Sequence, residues 1–201
     1  MGQNKAQLVI DKLTRESFMR ARDIEALGVS REYIGKLFRH GIIDRVGRGL
    51  YAMPGHKFSI NHSIAQACKR VPHGVICLLS SLRFHSLTTQ APFEVWMAID
   101  SKARKPKNTG SPLRIVRFSG KALADGIEEH KIEGIKVLVY SEAKTVADCF
   151  KYRNKIGLDV ALEALKEGWR ERRFTMDELW KYAKVCRVTE FMRPYLESIS
   201  L

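Results

Sequence analysis

The segment SREYIGKLFRHGIIDRVGRGLYAMPG, Ser30 to Gly55, restricts this chain more than any other stretch. Ser30 carries the short oxygen-bearing side chain that caps a helix N-terminus. Ile34, Leu37 and Phe38 follow at the i, i+3, i+4 spacing that turns one helix face to a core. Gly41 falls where a helix C-terminus favours a left-handed residue. Two short apolar runs, Ile42–Val46 and Leu50–Ala52, then flank Gly47-Arg48-Gly49, whose glycines supply the positive φ of a hairpin turn. A short helix feeding a basic two-stranded wing is the reading end of a winged helix-turn-helix.

The upstream residues complete that unit. Ala6, Val9, Ile10 and Leu13 repeat with helical period, so a first helix is expected over Lys5–Leu13. Phe18-Met19 reads as a short strand and Ala21–Leu27 as a second helix. Gly28-Val29-Ser30 makes the tight turn between helices. With Ile34, Leu37 and Phe38 inward, Arg31, Gly35, Lys36 and Arg39 lie on the outer faces of the third helix. Residues near its N-terminus would enter a major groove. There Arg31 suits a bidentate contact to guanine. Ser30, Tyr33 and Lys36 suit phosphates, and Arg39 is a further DNA-contact candidate. On the wing, Arg45 and Arg48 suit a minor groove or its phosphates. Gly35 permits close backbone approach to DNA or to the preceding helix. His40, in the last turn, suits the helix dipole better than a base. The competing reading is a winged scaffold for protein contacts whose arginines are simply solvated.

Charge points the same way. The chain of 201 residues carries 35 Lys and Arg against 22 Asp and Glu, a net charge of +13 that favours a polyanionic partner. Residues 1–60 hold +5 of this and residues 61–201 hold +8, so charge alone does not choose between the halves. Cys68, Cys77, Cys149 and Cys186 have neither zinc-ligand nor disulfide-framework spacing, so reduced thiols are expected and no metal or cofactor is assigned. The start of the chain lacks an apolar leader and no apolar run approaches membrane length, so a cytoplasmic protein without membrane contact is expected.

Residues 59–201 read as an α+β domain. Helices are expected at Asn61–Arg70, near Ser80–Leu87, over Thr145–Tyr152 and over Leu158–Glu167, the last stopped by Gly168. Strands are expected at Phe93–Ile99, Leu113–Phe118 and Ile135–Tyr140. Thr175-Met176-Asp177-Glu178 is a capping box with Phe174 and Leu179 as its hydrophobic staple. Pro194 would kink or restart a last helix over Thr189–Ile199. The loop SKARKPKNTGSP carries Lys102, Arg104, Lys105 and Lys107 without an acidic residue, and a second basic turn contains Arg153 and Lys155. Both are candidates for secondary phosphate contacts. Asp100 with Glu142-Ala143-Lys144 has the residue types of a metal-dependent nuclease. The simpler reading makes Ser141 an N-cap and Glu142 a first-turn acid. His85 beside Ser80 and Ser81 reads as a polar anchor between helix and sheet rather than a nucleophile pair.

The run VSREYIGKLFRHGIIDRVGRGLYAMPG resembles the N-terminal domain of the AbiEi family, antitoxins and autorepressors of bacterial abortive-infection (type IV toxin–antitoxin) systems. The similarity continues at CLLSSLRFHSLTTQ and AKTVADCFKYRNKIGLDVALEALKE and into the helical tail. It implies a DNA-binding domain over 1–58 and an antitoxin domain over 59–201. It also implies repression of the chain's own operon through double-stranded operator DNA, with inverted repeats, and no enzymatic activity. The functional partner would be a nucleotidyltransferase-like toxin, with no stable complex assumed. An ordinary winged-helix regulator of another operon and a DNA-targeted nuclease remain the alternatives.

Overall fold

A computed structural model describes residues 5–16, 18–47, 49–55, 61–106 and 112–199. They form two compact units, residues 1–65 together with 131–135, and residues 66–130 together with 136–201. The expected boundary near residue 58 lies outside the described residues.

In the first unit α1 (Lys5–Glu16), β1 (Phe18–Arg20), α2 (Ala21–Glu25), α3 (Arg31–Arg39), β2 (Asp44–Gly47) and β3 (Leu50–Ala52) follow in chain order. The strands form one sheet in the order β1-β3-β2, antiparallel throughout. Phe18-Met19 is a short strand, as expected, and it pairs with β3 of the wing. Val9, Leu13, Ile24, Val29, Ile34, Leu37 and Ile43 make a common core. Phe38 departs from expectation, being 43% exposed. The apolar stripe of α3 is narrow: Ile34 and Leu37 fill the contact, leaving the next position facing solvent.

The second unit opens in α4 (His62–Arg70) and continues through β4 (Val75–Ile76), α5 (Leu78–Phe84), β5 (Val95–Asp100), β6 (Leu113–Phe118), α6 (Lys121–Ala124), β7 (Ile127–Ile132) and β8 (Ile135–Tyr140). α7 (Glu142–Lys151), α8 (Arg153–Ile156), α9 (Leu158–Arg170), α10 (Met176–Cys186) and α11 (Thr189–Ile199) complete it. Its sheet runs β6-β5-β4-β8-β7 and is mixed, with β4 antiparallel to β5 and parallel to β8. Helical side chains such as Val146, Phe150, Ala164 and Leu179 bury one face of that sheet against Val75, Ala98 and Val116.

The local signals of α10 hold: Thr175 Oγ1 accepts from the Glu178 N–H, Glu178 closes the box, and Phe174 and Leu179 are buried. Two expectations fail. Gly168 does not stop α9 but sits inside it, where an added β-carbon would come within 2.3 Å of the Phe174 ring. Pro194 lies within α11, which continues on both sides, so the helix does not restart there. Ser141 takes the N-cap position of α7, but its side chain makes no capping bond.

Candidate nucleic-acid interface

The third helix, α3, is assembled by local chemistry. Ser30 is extended at φ −70° and ψ 154°, and its Oγ accepts from the Tyr33 N–H at 3.3 Å. At the far end His40 Nδ1 lies 2.7 Å from the Lys36 carbonyl oxygen, so this ring nitrogen donates and the residue caps the helix as expected. Gly41, with φ +68°, then turns the chain toward the wing. The wing is tied back to the helix pair, since the Ala21 N–H donates to the Gly49 carbonyl at 2.9 Å. A register shift between Arg45 and Gly47 bulges β2, and Arg45 Nε donates to the Gly47 carbonyl at 3.4 Å. The bulge increases local twist and leaves Arg45 exposed.

Ser30, Arg31, Lys36, Arg39 and Arg45 are all exposed, so the structure gathers them on solvent-facing surface of one unit. They are not equally available. Arg31 Nε lies 2.7 Å from Glu25 Oε1, and Lys36 Nζ lies 3.3 Å from Glu32 Oε1. Arg39 has no ion-pair partner among the described residues. Tyr33 is half-buried against the core, which restricts it to a backbone or rim contact. Nothing lies within 4 Å of a β-carbon placed on Gly35, so that glycine is not there to admit a neighbouring helix. Arg48 and Lys107 lie outside the described residues.

The secondary candidates separate. Lys102, Arg104 and Lys105 are exposed on the loop after β5. Arg117 holds the start of that loop through Nη1, which donates to the carbonyls of Asp100, Ser101 and Ala103. Lys155 is exposed, but Arg153 is committed: its guanidinium stacks on Phe191 at 3.7 Å and donates to the Phe150 carbonyl.

The nuclease-like residues take other roles. Asp100 Oδ1 accepts from the Lys102 N–H at 2.7 Å, and Glu142 pairs with Arg173 at 2.6 Å. Lys144 is fully buried, 2.5 Å from Asp148 Oδ2 and 4.2 Å from the centre of the Tyr140 ring. Cys186 Sγ donates to the other Asp148 oxygen at 3.1 Å. Burial pushes the Asp148 carboxyl up from its ordinary range, against the pull of Lys144. Ser80, Ser81 and His85 bind backbone. The Trp96 N–H donates to Ser80 Oγ at 2.9 Å, while Ser81 Oγ and His85 Nε2 both donate to the Tyr140 carbonyl. Burial holds the His85 imidazole below its ordinary pKa, against the pull of the Tyr140 carbonyl and Glu142. Burial also raises all four thiols, Cys68 to about 12, so each is a protonated core residue. Among the described residues no cluster of His, Cys, Asp and Glu could hold a metal ion, and no helix is long and apolar enough to cross a membrane.

Comparison with known proteins bears on both units. Residues 10–54, which run from α1 to the end of the wing, match a family described as a transcriptional regulator, AbiEi antitoxin. The resemblance read from the wing is thus borne out over the module that carries it. No curated protein sequence matches the chain. Among solved structures, the crystal structure of the RV2827C protein from Mycobacterium tuberculosis is similar, with a TM-score of 0.61 and 13% identity. The likeness covers 92% of this chain and 72% of that one, and at this identity it shows a shared fold.

Proposed function

We propose that this chain is a cytoplasmic, DNA-binding antitoxin of the AbiEi kind that represses its own operon. The observation that carries the reading is the exposed basic face of α3 joined to a bulged wing, on the module that matches a regulator family. Arg31 reads guanine, Arg39 and Lys36 hold phosphates, and Arg45 and Arg48 grip beside the wing. Residues 1–58 serve as the DNA-binding domain and 59–201 as the antitoxin domain. The functional partner is a nucleotidyltransferase-like toxin encoded beside it. A regulator of an unrelated operon has the same DNA chemistry, and a toxin gene next to this one separates the two.

The test is binding to the chain's own promoter across a salt series. Affinity should fall steeply as salt rises, because phosphate contacts release counterions. Arg31→Ala should cost about 1–3 kcal/mol and relax base preference, whereas Arg45→Ala should weaken all sequences alike. Unchanged binding in both variants would sink the reading.

Gly35→Ala gives a second, independent check. The added methyl meets open space, so helix propensity should raise stability by about 1 kcal/mol. Promoter affinity should fall in the same variant, because the methyl stands on the face turned to DNA. A thermal melt and a binding isotherm on one preparation measure both, and a gain in both would remove α3 from the interface.

A further inference from the structure

The second unit contains a basic cavity that operator reading leaves unused. Its volume is about 520 Å³, within the range of small-ligand sites. Arg117 from the end of β6, Lys121 from the start of α6, Lys151 from the end of α7, and Lys184 and Arg187 from the end of α10 all line it. Lys121, Lys151, Lys184 and Arg187 are exposed, and none enters an ion pair among the described residues. The carboxylate in the lining, Asp148, is buried and already paired with Lys144, so it leaves the rim positive.

Helix dipoles explain only part of this cluster. Cations in the last turns of α7 and α10 complement those carbonyl ends. Arg117 is also tied to the loop carbonyls after β5, but Lys121 begins a helix, where the dipole disfavours a cation. A further observation is independent of charge. Arg187 adopts φ 57° and ψ 47°, the left-handed region where a helix end normally places glycine. Such a conformation costs an L-residue about 1–2 kcal/mol, and strained residues of this kind gather at ligand sites. The basic lining also extends beyond the cavity. Arg117 and Tyr152 continue into a smaller neighbouring depression with Lys105 and Lys155.

We propose that this cavity binds a phosphate-bearing anion of at least two charges, supplied as a free phosphorylated small molecule or as a nucleic-acid backbone. The inference goes beyond operator recognition and does not depend on it. Isothermal titration of the full chain with inorganic pyrophosphate, and separately with non-specific duplex DNA, tests it. The variants are Lys151→Ala with Lys184→Ala, and Arg31→Ala as the control on the other unit. Both lysines are exposed, and circular dichroism checks that the double variant is folded. One saturable pyrophosphate site is expected, at least tenfold weaker in the lysine variant and unchanged in Arg31→Ala. Pyrophosphate silence with a tenfold loss of duplex affinity in the lysine variant would support the site and assign its phosphates to nucleic acid. Equal behaviour of the wild type and the lysine variant toward both probes would overturn it. Loss of promoter binding in Arg31→Ala alone reports on the operator reading and leaves this site untouched.

Discussion

Asp148→Leu should destabilise the second unit by about 3–5 kcal/mol, the cost of stranding a buried charge. The wild-type Lys144 Nζ is fully enclosed, with Asp148 at 2.5 Å and aromatic faces of Tyr140 and Phe118 at 4.2 and 5.1 Å. Ring faces attract a cation but do not replace an anion in a dry site. Lys144→Met should cost less, because the remaining carboxyl can take up a proton that burial already favours. The sign with pH follows. A folded-state pKa raised above the unfolded value gives stability that is present at low pH and lost as pH rises through it. The deficit of Lys144→Met should therefore shrink as pH falls toward the ordinary carboxylate range. The double variant Lys144→Met, Asp148→Leu should lie well above the sum of its parts, since two apolar side chains need no partner. Urea denaturation at two pH values measures all three, and strict additivity would show the pair to be uncoupled.

Gly168→Val should cost about 1–2 kcal/mol net, although helix propensity alone favours most replacements of glycine within a helix. A β-carbon there would lie 2.3 Å from Cε1 and 2.5 Å from Cζ of Phe174, a ring that is itself 6% exposed. Overpacking of a core contact costs about 1–3 kcal/mol and exceeds the propensity gain of about 1 kcal/mol. Gly168→Ala should consequently lose stability where Gly35→Ala gains it. Chemical denaturation of these variants measures the contrast. A stabilised Gly168→Ala protein would mean that the Phe174 ring has room to withdraw.

These two sites mark where the sequence was legible and where it was not. Caps, staples and the wing are local events, and Ser30, Thr175-Glu178 and the apolar runs around Gly49 announce them within a few residues. Gly168 announces the wrong thing, because its reason lies in a ring arriving from the next connection. Lys144 looked like a partner for Glu142 at nuclease spacing, but the helix places it against Asp148 one turn on. β7 went unread because Ile127 to Lys131 is largely exposed and polar, so no apolar alternation marks it. The basic cavity was invisible for a further reason. Positions 117, 121, 151, 184 and 187 share no spacing, and only the surplus charge of the second half hinted at them. On α3 the outward and inward faces follow the spacing except at Phe38, where spacing overstates the width of the buried stripe, and at Tyr33, which packs half-buried against the core.

On the proposed reading, the contact between Arg31 and Glu25 bears on how this helix would discriminate among sequences. Arg31 is not an idle cation waiting for an anion, because its guanidinium already holds a carboxylate at 2.7 Å. Docking on DNA, as proposed above, would therefore exchange one pairing for another. A bare phosphate offers Arg31 little more than it already has, and it draws near a carboxylate left without its partner. A guanine edge offers two directional acceptors in the geometry of the guanidinium. On the proposed reading this exposed pair, worth at most about 1 kcal/mol, would trim the gain from a bare phosphate more than the gain from a guanine edge, so a part of the selectivity would be set inside the protein.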